Sequence, residues 1–331
     1  MILRVARRLI RRLQASRLAT PCATIVLWAL RASARRCGVV VMQHRVEPRP
    51  GDPAHEFTPP LAVADFEAQL SWLVRHARVV PAERLQAEAA SRRRGARFPV
   101  AITFDDDTTS HVAHALPELR RRGLPATFFL NGIALGTRRR YWWELLQTGR
   151  DEGWAWSSLI PEATLHAAQA QASEAVGPYE VSVAVQEMDP EGRREMTADL
   201  DERFGTRSPA GLEAEEIRAL DDGTRSVGWH GHRHEPLSLL DPEALAAELD
   251  DGRAELEGVL GRSMRTIAYP YGRASAAAAD AARSRGFTTG FTTIPAAVTP
   301  ADDPLLLGRI DGCTATTGAF ALAVAVAVLR A

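Results

Sequence analysis

The chain has 331 residues, of which 46% are hydrophobic and 24% are charged, a composition typical of one large globular domain or two modest ones. Forty basic residues stand against 41 acidic ones, and this balance argues against a nucleic-acid-binding protein. Every basic residue is an arginine, so mechanisms that need a lysine amine, such as Schiff-base formation, are excluded. The three cysteines, Cys22, Cys37 and Cys313, are too widely spaced to indicate a thiolate zinc site.

The N-terminal region is strongly basic, with nine arginines and no acidic residue in residues 1–40. Apolar side chains recur at helical spacing over residues 2–13, with arginines on the other face, which predicts an amphipathic helix. The apolar run at 18–30 is shorter than the roughly 20 residues of a spanning helix. We therefore treat residues 1–36 as a basic amphipathic segment that either contacts a membrane surface peripherally or packs on the domain. The expected location is the cytoplasm or the periphery of the inner membrane, with secretion through a cleavage site near 32–34 as an alternative.

Beyond Cys37, short β-rich runs alternate with helical stretches. The predicted strands are 38–43, 99–104, 125–130, 225–229, 265–269, 287–292 and 305–310. The predicted helices are 62–76, 81–91, 111–122, 241–260 and 273–285. This alternation indicates a parallel α/β fold, either a barrel or a doubly wound sheet, and no glycine-rich nucleotide-binding motif occurs.

Residues 131–224 interrupt the alternation and are interpreted as a helical insertion after the third or fourth strand. An insertion at the carboxyl end of a barrel strand lies over the active site. Four tryptophans in it either line a sugar groove or pack the insertion's own core, and the packing interpretation is favoured. They are Trp142, Trp143, Trp154 and Trp156. The domain proper spans residues 37–312, and residues 313–331 form an apolar C-terminal tail.

Two clusters carry the chemistry. Asp105, Asp106 and Asp107 directly follow an apolar strand, where neighbouring carboxylates can take different roles. His230, His232 and His234 form the second cluster. On a helical turn the first and third of these histidines share a face, and on a strand all three do. Carboxylate and imidazole together suit a zinc-type ion with an open coordination position.

The order of motifs resembles that of the polysaccharide deacetylase family, the NodB-homology or carbohydrate esterase 4 group. Thr103–Asp106 match its first motif, T-F-D-D-G, with Asp107 in place of the usual Gly. His230–His234 match its second, H-[ST]-x-x-H, with Gly231 in the Ser/Thr place. Further similar segments are Ala268–Gly272, which is like the third motif, Val41–Val46, which is like the Y-H-R-V strand of many bacterial members, Ala115–Pro117 and Pro125–Phe129.

The resemblance covers about Val39 to Ile310 and implies a distorted (β/α)7 TIM-like barrel. It also implies a metal-dependent hydrolase that removes N-acetyl groups from a polysaccharide, oligosaccharide or glycolipid by acting on carbon–nitrogen amide bonds. Carried over residue by residue, Asp105 is the general base, and the backbone N–H of Tyr271 stabilises the oxyanion. Asp106, His230 and His234 bind the divalent metal, for which zinc is the expected ion.

The chain departs from the family pattern at three points. The arginine that orients the base is replaced by Ala268, with Arg265 as a displaced substitute. No fourth-motif Asp-x-x-x-Trp is found, and the fifth motif's histidine is missing from 305–311. The general acid is therefore unassigned, and the candidates are His44, His111 and His232.

Two alternatives stay open. A metal-dependent amidohydrolase of another superfamily could use His230-Gly231-His232 as its H-x-H pair, but that pair normally lies on the first strand and often works with a carboxylated lysine. A non-catalytic saccharide- or metal-binding relative would explain the missing motifs. Retention of Asp105 argues against it, because metal binding needs only Asp106.

Overall fold

The computed structural model describes residues 18–132, 140–173, 175–205, 211–313 and 316–331. The predicted helix over 2–13 lies outside these ranges. The main sheet consists of β1 (Val39–Gln43), β4 (Arg78–Val79), β5 (Pro99–Phe104), β6 (Thr127–Leu130), β7 (Ser226–Trp229), β8 (Thr266–Ala268), β9 (Thr289–Phe291) and β10 (Ile310–Asp311). A small parallel pair, β2 (Val46–Glu47) and β3 (Leu61–Ala62), lies beside it.

The main sheet is parallel and follows the order β10-β1-β5-β6-β7-β8-β9, with β4 paired to β5. Val41 of β1 is aligned with Ile102 of β5 on one side and with Ile310 of β10 on the other. An isolated parallel bridge joins Phe291 of β9 to Leu307. Because residues 307–311 thus connect β9 to β1, the sheet curls into a distorted (β/α)7 barrel.

The predicted strand 305–310 is shorter in the structure. The Leu307 N–H donates to Gly290 O at 2.9 Å, and the Arg309 N–H donates to Ile294 O at 3.0 Å. The first half of the segment is therefore bonded to β9 and the loop after it. Only Ile310 and Asp311 remain to pair with β1.

Helices follow most strands. They are α1 (Ala19–Arg31), α2 (Val63–His76), α3 (Leu85–Ala90), α4 (Leu116–Arg121), α5 (Trp142–Asp151), α6 (Glu162–Gln171), α7 (Pro178–Gln186), α8 (Pro190–Phe204), α9 (Ala214–Leu220), α10 (Pro242–Asp250), α11 (Arg253–Leu260), α12 (Ala276–Ser284) and α13 (Thr317–Arg330). One π-helical turn, His111–Ala115, leads into α4.

The predicted helix 241–260 is divided into α10 and α11. Its start is as expected, because the Asp241 carboxylate caps the first turn by accepting from the Glu243 and Ala244 N–H groups at 2.9 Å. The division falls at Gly252, which has φ 73°. A Cβ there would lie 2.2 Å from Gly132 O, so the close approach of these two backbones requires glycine and ends the helix.

The buried core has a main part around the sheet and a separate part in the insertion. Strands β1 and β5 are buried along their whole length, as expected of a parallel sheet covered on both faces. The insertion follows β6, the third strand of the main path along the chain. Its helices α5 to α8 enclose their own apolar cluster.

Helices α1 and α13 pack into the main core of the domain. Ala19, Ala23 and Leu27 of α1 are buried in the main core, and α13 packs beside them. The C-terminal apolar residues therefore form a core helix instead of the expected tail, and residues 19–31 are likewise part of the folded domain. Within the described ranges, no helix combines the length and the apolar character needed to cross a bilayer.

Candidate active site

The site lies at the carboxyl ends of neighbouring strands. Asp105 and Asp106 directly follow β5, and His230 directly follows β7. The Asp105 N–H donates to Gln43 O at 2.9 Å, which continues the β1–β5 pairing past the strand ends. In parallel barrels this edge carries the active site.

Asp106, His230 and His234 form a buried group that can hold a metal ion. Their ligand atoms all lie within 4.8 Å of one another. Asp106 Oδ1 lies 3.6 Å from His230 Nε2 and 3.3 Å from His234 Nε2. Atoms that share a tetrahedral zinc ion at about 2.0–2.2 Å are separated by about 3.3–3.6 Å, so the three side chains fit such an ion.

A second observation supports this fit. Asp106 Oδ1 is buried, and among the described residues it has no hydrogen-bond partner. A buried carboxylate oxygen without a partner is energetically costly. A cation bound between the three ligand atoms removes that cost.

Three residues of the site have left-handed backbone conformations. Asp106 has φ 70°, His234 has φ 62° and Tyr271 has φ 56°, and they are the described non-glycine residues with positive φ. Such conformations cost about 1–3 kcal/mol each and persist where the surroundings enforce them. Three of the five predicted site residues thus share a conformation that is typical of active sites and ligand clamps.

The histidine cluster lies on a loop, so both sequence-based expectations, a helical turn and a strand, are wrong. Gly231 has φ 80° and His234 φ 62°, and these two left-handed residues fold the loop back so that His230 and His234 meet. The ring centroids of these two histidines are 4.8 Å apart. The loop is held by Glu248, whose carboxylate oxygens accept from the Arg233 N–H at 3.1 and 3.0 Å.

His232 is not part of the metal group. Its backbone N–H donates to Glu248 O at 3.0 Å, and its side chain is only partly buried. His230, in contrast, is oriented by its second ring nitrogen, because Nδ1 lies 2.8 Å from Ala268 O. This bond leaves His230 Nε2 directed at Asp106.

Asp105 is held by Arg309, which the sequence analysis did not single out. Arg309 Nη1 and Nη2 donate to Asp105 Oδ1 and Oδ2 at 2.6 Å each. Both side chains are buried. Arg265, the substitute suggested by sequence, is exposed at the surface. In the sequence, the one sign that Arg309 has a special role was its position inside the otherwise apolar predicted strand 305–310.

Burial and neighbouring charges decide which side chains of the site are ionised. Burial raises the pKa of Asp105, but the charge and hydrogen bonds of Arg309, together with the charges of His230 and His44, lower the pKa below its usual value. Burial likewise opposes ionisation of Asp106, and the nearby His234 lowers its pKa. Burial lowers the pKa of His230 to about 4. The site therefore holds two ionised carboxylates and a neutral His230, the protonation state that a metal ligand needs.

Aromatic side chains from the insertion and from the segment after β8 cover one side of the metal group. The Trp143 ring packs edge-on against His234 at 5.0 Å, and the Tyr271 ring does so at 4.4 Å. Trp142 Nε1 donates to the Tyr271 hydroxyl at 2.8 Å. Trp142 and Trp143 are buried, as the packing interpretation expects. Trp154 lies at the surface of the insertion, beside Arg203.

Asp107 is buried as well and connects the insertion to the barrel. The Tyr141 hydroxyl donates to Asp107 Oδ1 and lies 2.7 Å from Asn131 Oδ1. Asn131 Nδ2 in turn donates to His230 O at 2.7 Å. The residue that replaces the family's usual glycine thus anchors the start of α5 beside the metal group.

The candidate general acids differ sharply in environment. His111 is buried among Phe104 and Phe128, and burial lowers its pKa to about 4, so it is a core residue. His44 follows β1 and is partly buried. Burial opposes its protonation, but a hydrogen bond with Cys313 and the negative charges of the site raise its pKa to about 10.

Comparison with known proteins agrees with this architecture. The fold is similar to that of the Streptococcus pyogenes deacetylase PplD in complex with acetate, with 16% identity, 87% of this chain and 98% of that chain covered and a TM-score of 0.57. It is also similar to IcaB from Ammonifex degensii, with 22% identity, coverage of 86% and 97% and a TM-score of 0.54. At these identities the likeness is one of fold. No curated protein sequence matches the chain.

The sequence profile of the polysaccharide deacetylase family matches residues 92–158 and 196–290. The first range contains Asp105 and Asp106, and the second contains both histidines of the metal group. The chain therefore belongs to the polysaccharide deacetylase family and is a hydrolase acting on amide bonds.

Proposed function

We propose that the chain removes N-acetyl groups from a saccharide by metal-assisted hydrolysis. The observation that carries the proposal is the convergence of Asp106, His230 and His234 beside an Asp105 fixed by Arg309. Passive metal or saccharide binding needs the three ligands but no oriented second carboxylate. The presence of that carboxylate therefore favours catalysis over a binding role.

Each residue of the site takes a defined part in the proposed reaction. Asp106, His230 and His234 would hold a divalent ion of the zinc type, which would supply polarisation of the acetyl carbonyl and a lowered pKa of water. Asp105 accepts the proton of the attacking water, and Arg309 keeps this carboxylate ionised and correctly directed. The backbone N–H of Tyr271 donates to the oxygen that becomes negative during attack.

His44 is the proposed general acid, the group that protonates the leaving nitrogen. Burial opposes its protonation, but the hydrogen bond with Cys313 and the charges of Asp106 and Asp105 raise its pKa, which favours the protonated form that a general acid needs. It follows β1, which is the direct neighbour of β10. His44 thus lies beside the segment in which the family's fifth-motif histidine is missing.

Acetate release tests the proposal directly. The full chain, loaded with zinc, is incubated with a panel of N-acetylated compounds: peptidoglycan fragments, chitin oligomers, exopolysaccharide and N-acetylated glycolipid. We expect acetate from at least one of them, and its loss on chelation and in Asp105→Asn. Tight saccharide binding without acetate from any member would instead support the non-catalytic alternative.

A pair of substrates tests His44. An amide needs protonation of its leaving nitrogen, whereas an aryl acetate releases a phenolate that does not. His44→Asn should therefore slow deacetylation of the saccharide by about 10²- to 10⁴-fold and leave aryl acetate hydrolysis nearly unchanged. An equal loss on both substrates would assign His44 a structural role. His111→Asn, which changes a core residue, should reduce the rates on both substrates together.

A further inference from the structure

Helix α1 exposes a row of large apolar side chains. Leu18, Ile25 and Trp28 have 63%, 64% and 68% of their surface exposed. Their spacings of seven and three residues place them on one face of the helix. The residues that join the core, Ala19, Ala23 and Leu27, lie on the opposite face. Large exposed apolar patches on a folded domain mark contact surfaces.

The exposed row belongs to a firmly fixed helix. The starts of α1 and α13 touch, since a Cβ on Gly318 would lie 2.8 Å from the Ala19 Cβ. Trp72 Nε1 of α2 donates to Thr24 Oγ1 at 3.2 Å. These two neighbouring helices each expose one large apolar side chain, Leu329 on α13 and Val74 on α2. The exposed apolar surface is therefore a property of the folded domain.

A basic cluster adjoins the C-terminal end of α1. The loop 92–97 is bonded to it, because the Gly95 N–H donates to Arg31 O at 2.7 Å. The buried Arg92 side chain also donates to Arg31 O at 2.9 Å. The remaining arginines of the cluster are exposed to solvent: Arg36, Arg75, Arg93, Arg94 and Arg97. Arg31 Nη2 donates to His76 O at 2.8 Å and Arg97 Nη1 donates to Val74 O at 2.9 Å, which places both arginines at the end of α2.

The other end of α1 is basic in sequence. Residues 1–17 contain six arginines and no acidic residue, and the first acidic residue of the chain is Glu47. Along the sequence, the exposed apolar row is therefore preceded by six arginines and followed by the basic cluster. An apolar face flanked by arginine matches the interface of an anionic bilayer, where the apolar side chains enter the acyl boundary and the arginines meet lipid phosphates.

We propose that this face, formed by Leu18, Ile25 and Trp28 with the basic cluster at the end of α1, docks the domain onto anionic membrane surfaces. The contact is peripheral. It does not depend on the proposed deacetylase activity, because the face lies on the outer side of the barrel and shares no residue with the site. Each arginine near an anionic surface adds electrostatic attraction, and the apolar row adds burial of a tryptophan and an isoleucine.

A second copy of the chain fits this face poorly. A two-fold pairing of α1 with itself brings either like ends or opposite ends together. When like ends meet, the basic cluster at the C-terminal end of α1 faces its own copy, and when opposite ends meet it faces the end that follows six arginines in the sequence, so both arrangements are disfavoured by charge. A lipid surface of negative charge has no such conflict.

Co-sedimentation with vesicles tests the proposal on the full chain. We expect binding to phosphatidylcholine vesicles that contain phosphatidylglycerol, weaker binding to phosphatidylcholine alone, and loss of binding as salt is raised. Ile25→Ser/Trp28→Ser should weaken partitioning by about tenfold or more. A matched control, Ile294→Ser/Tyr179→Ser, removes side chains of 61% and 72% exposure elsewhere and should leave it unchanged.

Lipid-attached bromine, which quenches tryptophan fluorescence, locates the contact. Quenching on anionic vesicles should largely disappear in Trp28→Phe, a variant that still binds. Equal vesicle binding by the wild type and Ile25→Ser/Trp28→Ser would overturn the proposal. The proposal would also be overturned if the wild type did not bind vesicles and formed a dimer that became monomeric in Ile25→Ser/Trp28→Ser. Point variants are preferable to deletion of 1–36, which would remove Ala19, Ala23 and Leu27 from the core.

Discussion

Arg309 and Asp105 lie 204 positions apart in the chain and form two parallel hydrogen bonds of 2.6 Å. The guanidinium is fixed further by Nε, which donates to Thr292 O at 3.0 Å, and by Nη1, which lies 3.3 Å from Thr103 Oγ1. The pair therefore joins the segment between β9 and β10 to the end of β5. In the proposed function, Arg309 takes the role that the resemblance gives to the third-motif arginine, while Ala268 stands at that motif's own position.

The first prediction separates the geometry of Arg309 from its charge. Arg309→Lys keeps the charge but loses the bidentate bond, so we expect retained metal and a rate lowered about 10- to 100-fold. Arg309→Met leaves a buried carboxylate without a partner and should lower the free energy of unfolding by about 3–5 kcal/mol. Acetate release, metal content and urea unfolding check these outcomes. In the control Arg265→Met, which changes an exposed arginine, all three should stay unchanged; a loss there equal to that in Arg309→Lys would return the orienting role to Arg265.

The second prediction separates the two adjacent carboxylates. Asp105→Asn should keep the metal and lose about 10²- to 10⁴-fold in rate, because only the proton acceptor is removed. It should also unfold at lower urea, since Arg309 loses its counter-charge, and rates are therefore normalised to folded protein. Asp106→Asn should bind metal weakly, with activity partly restored by excess zinc. Metal loss in the first variant with retention in the second would reverse the assignment.

The sequence alone identified most of the residues that meet in the site. The two aspartates, the two histidines and Tyr271 could be named because short motifs keep their order along the chain. Arg309 was missed because the motif comparison looks for the orienting arginine near Ala268. The contact that replaces it spans 204 positions and depends on how the barrel closes, which strand-by-strand patterns do not contain.

The backbone of the site was also beyond the sequence patterns. Helical and strand periodicity assume regular φ and ψ, whereas His230 and His234 meet across a loop with two left-handed residues. In the sequence, only Gly231 indicated a left-handed residue in this loop. Left-handed Asp106 and Tyr271 carried no such signal, because their surroundings impose the conformation.

The third prediction concerns which histidines bind metal. His234→Ala removes one of three ligands and should lower bound zinc well below one equivalent per chain. His232→Ala should leave zinc content nearly intact, because its ring is outside the group of converging ligand atoms. Metal analysis after dialysis compares the two variants. Equal loss in both would favour a site with three histidines.

The fourth prediction concerns Asp107, where the family usually has glycine. The resemblance suggests a mild effect for Asp107→Gly, but the carboxylate is buried and accepts from the Tyr141 hydroxyl. We expect Asp107→Gly and Tyr141→Phe each to lower the free energy of unfolding by about 1.5–3 kcal/mol. The double variant should be little worse than Tyr141→Phe, because Tyr141→Phe already removes the bond to Asp107 as well as the one to Asn131. Additive losses in urea unfolding would contradict this. Tyr179→Phe, an exposed tyrosine of the insertion, is the matched control.

The last prediction is a pH dependence set by Glu248. Burial raises the pKa of its carboxyl from 4.5 to about 7. Between these two values the folded chain holds a proton that the unfolded chain has lost. The free energy of unfolding that Glu248 contributes is therefore complete below pH 4.5 and is lost as the pH rises through about 7.

Glu248→Gln carries no titrating proton, so the metal-free variant should lose less stability than the wild type across this interval. Urea midpoints at several pH values measure the difference, with the exposed Glu243→Gln on the same helix as control. Parallel curves for wild type and Glu248→Gln would show that another group sets the pH dependence.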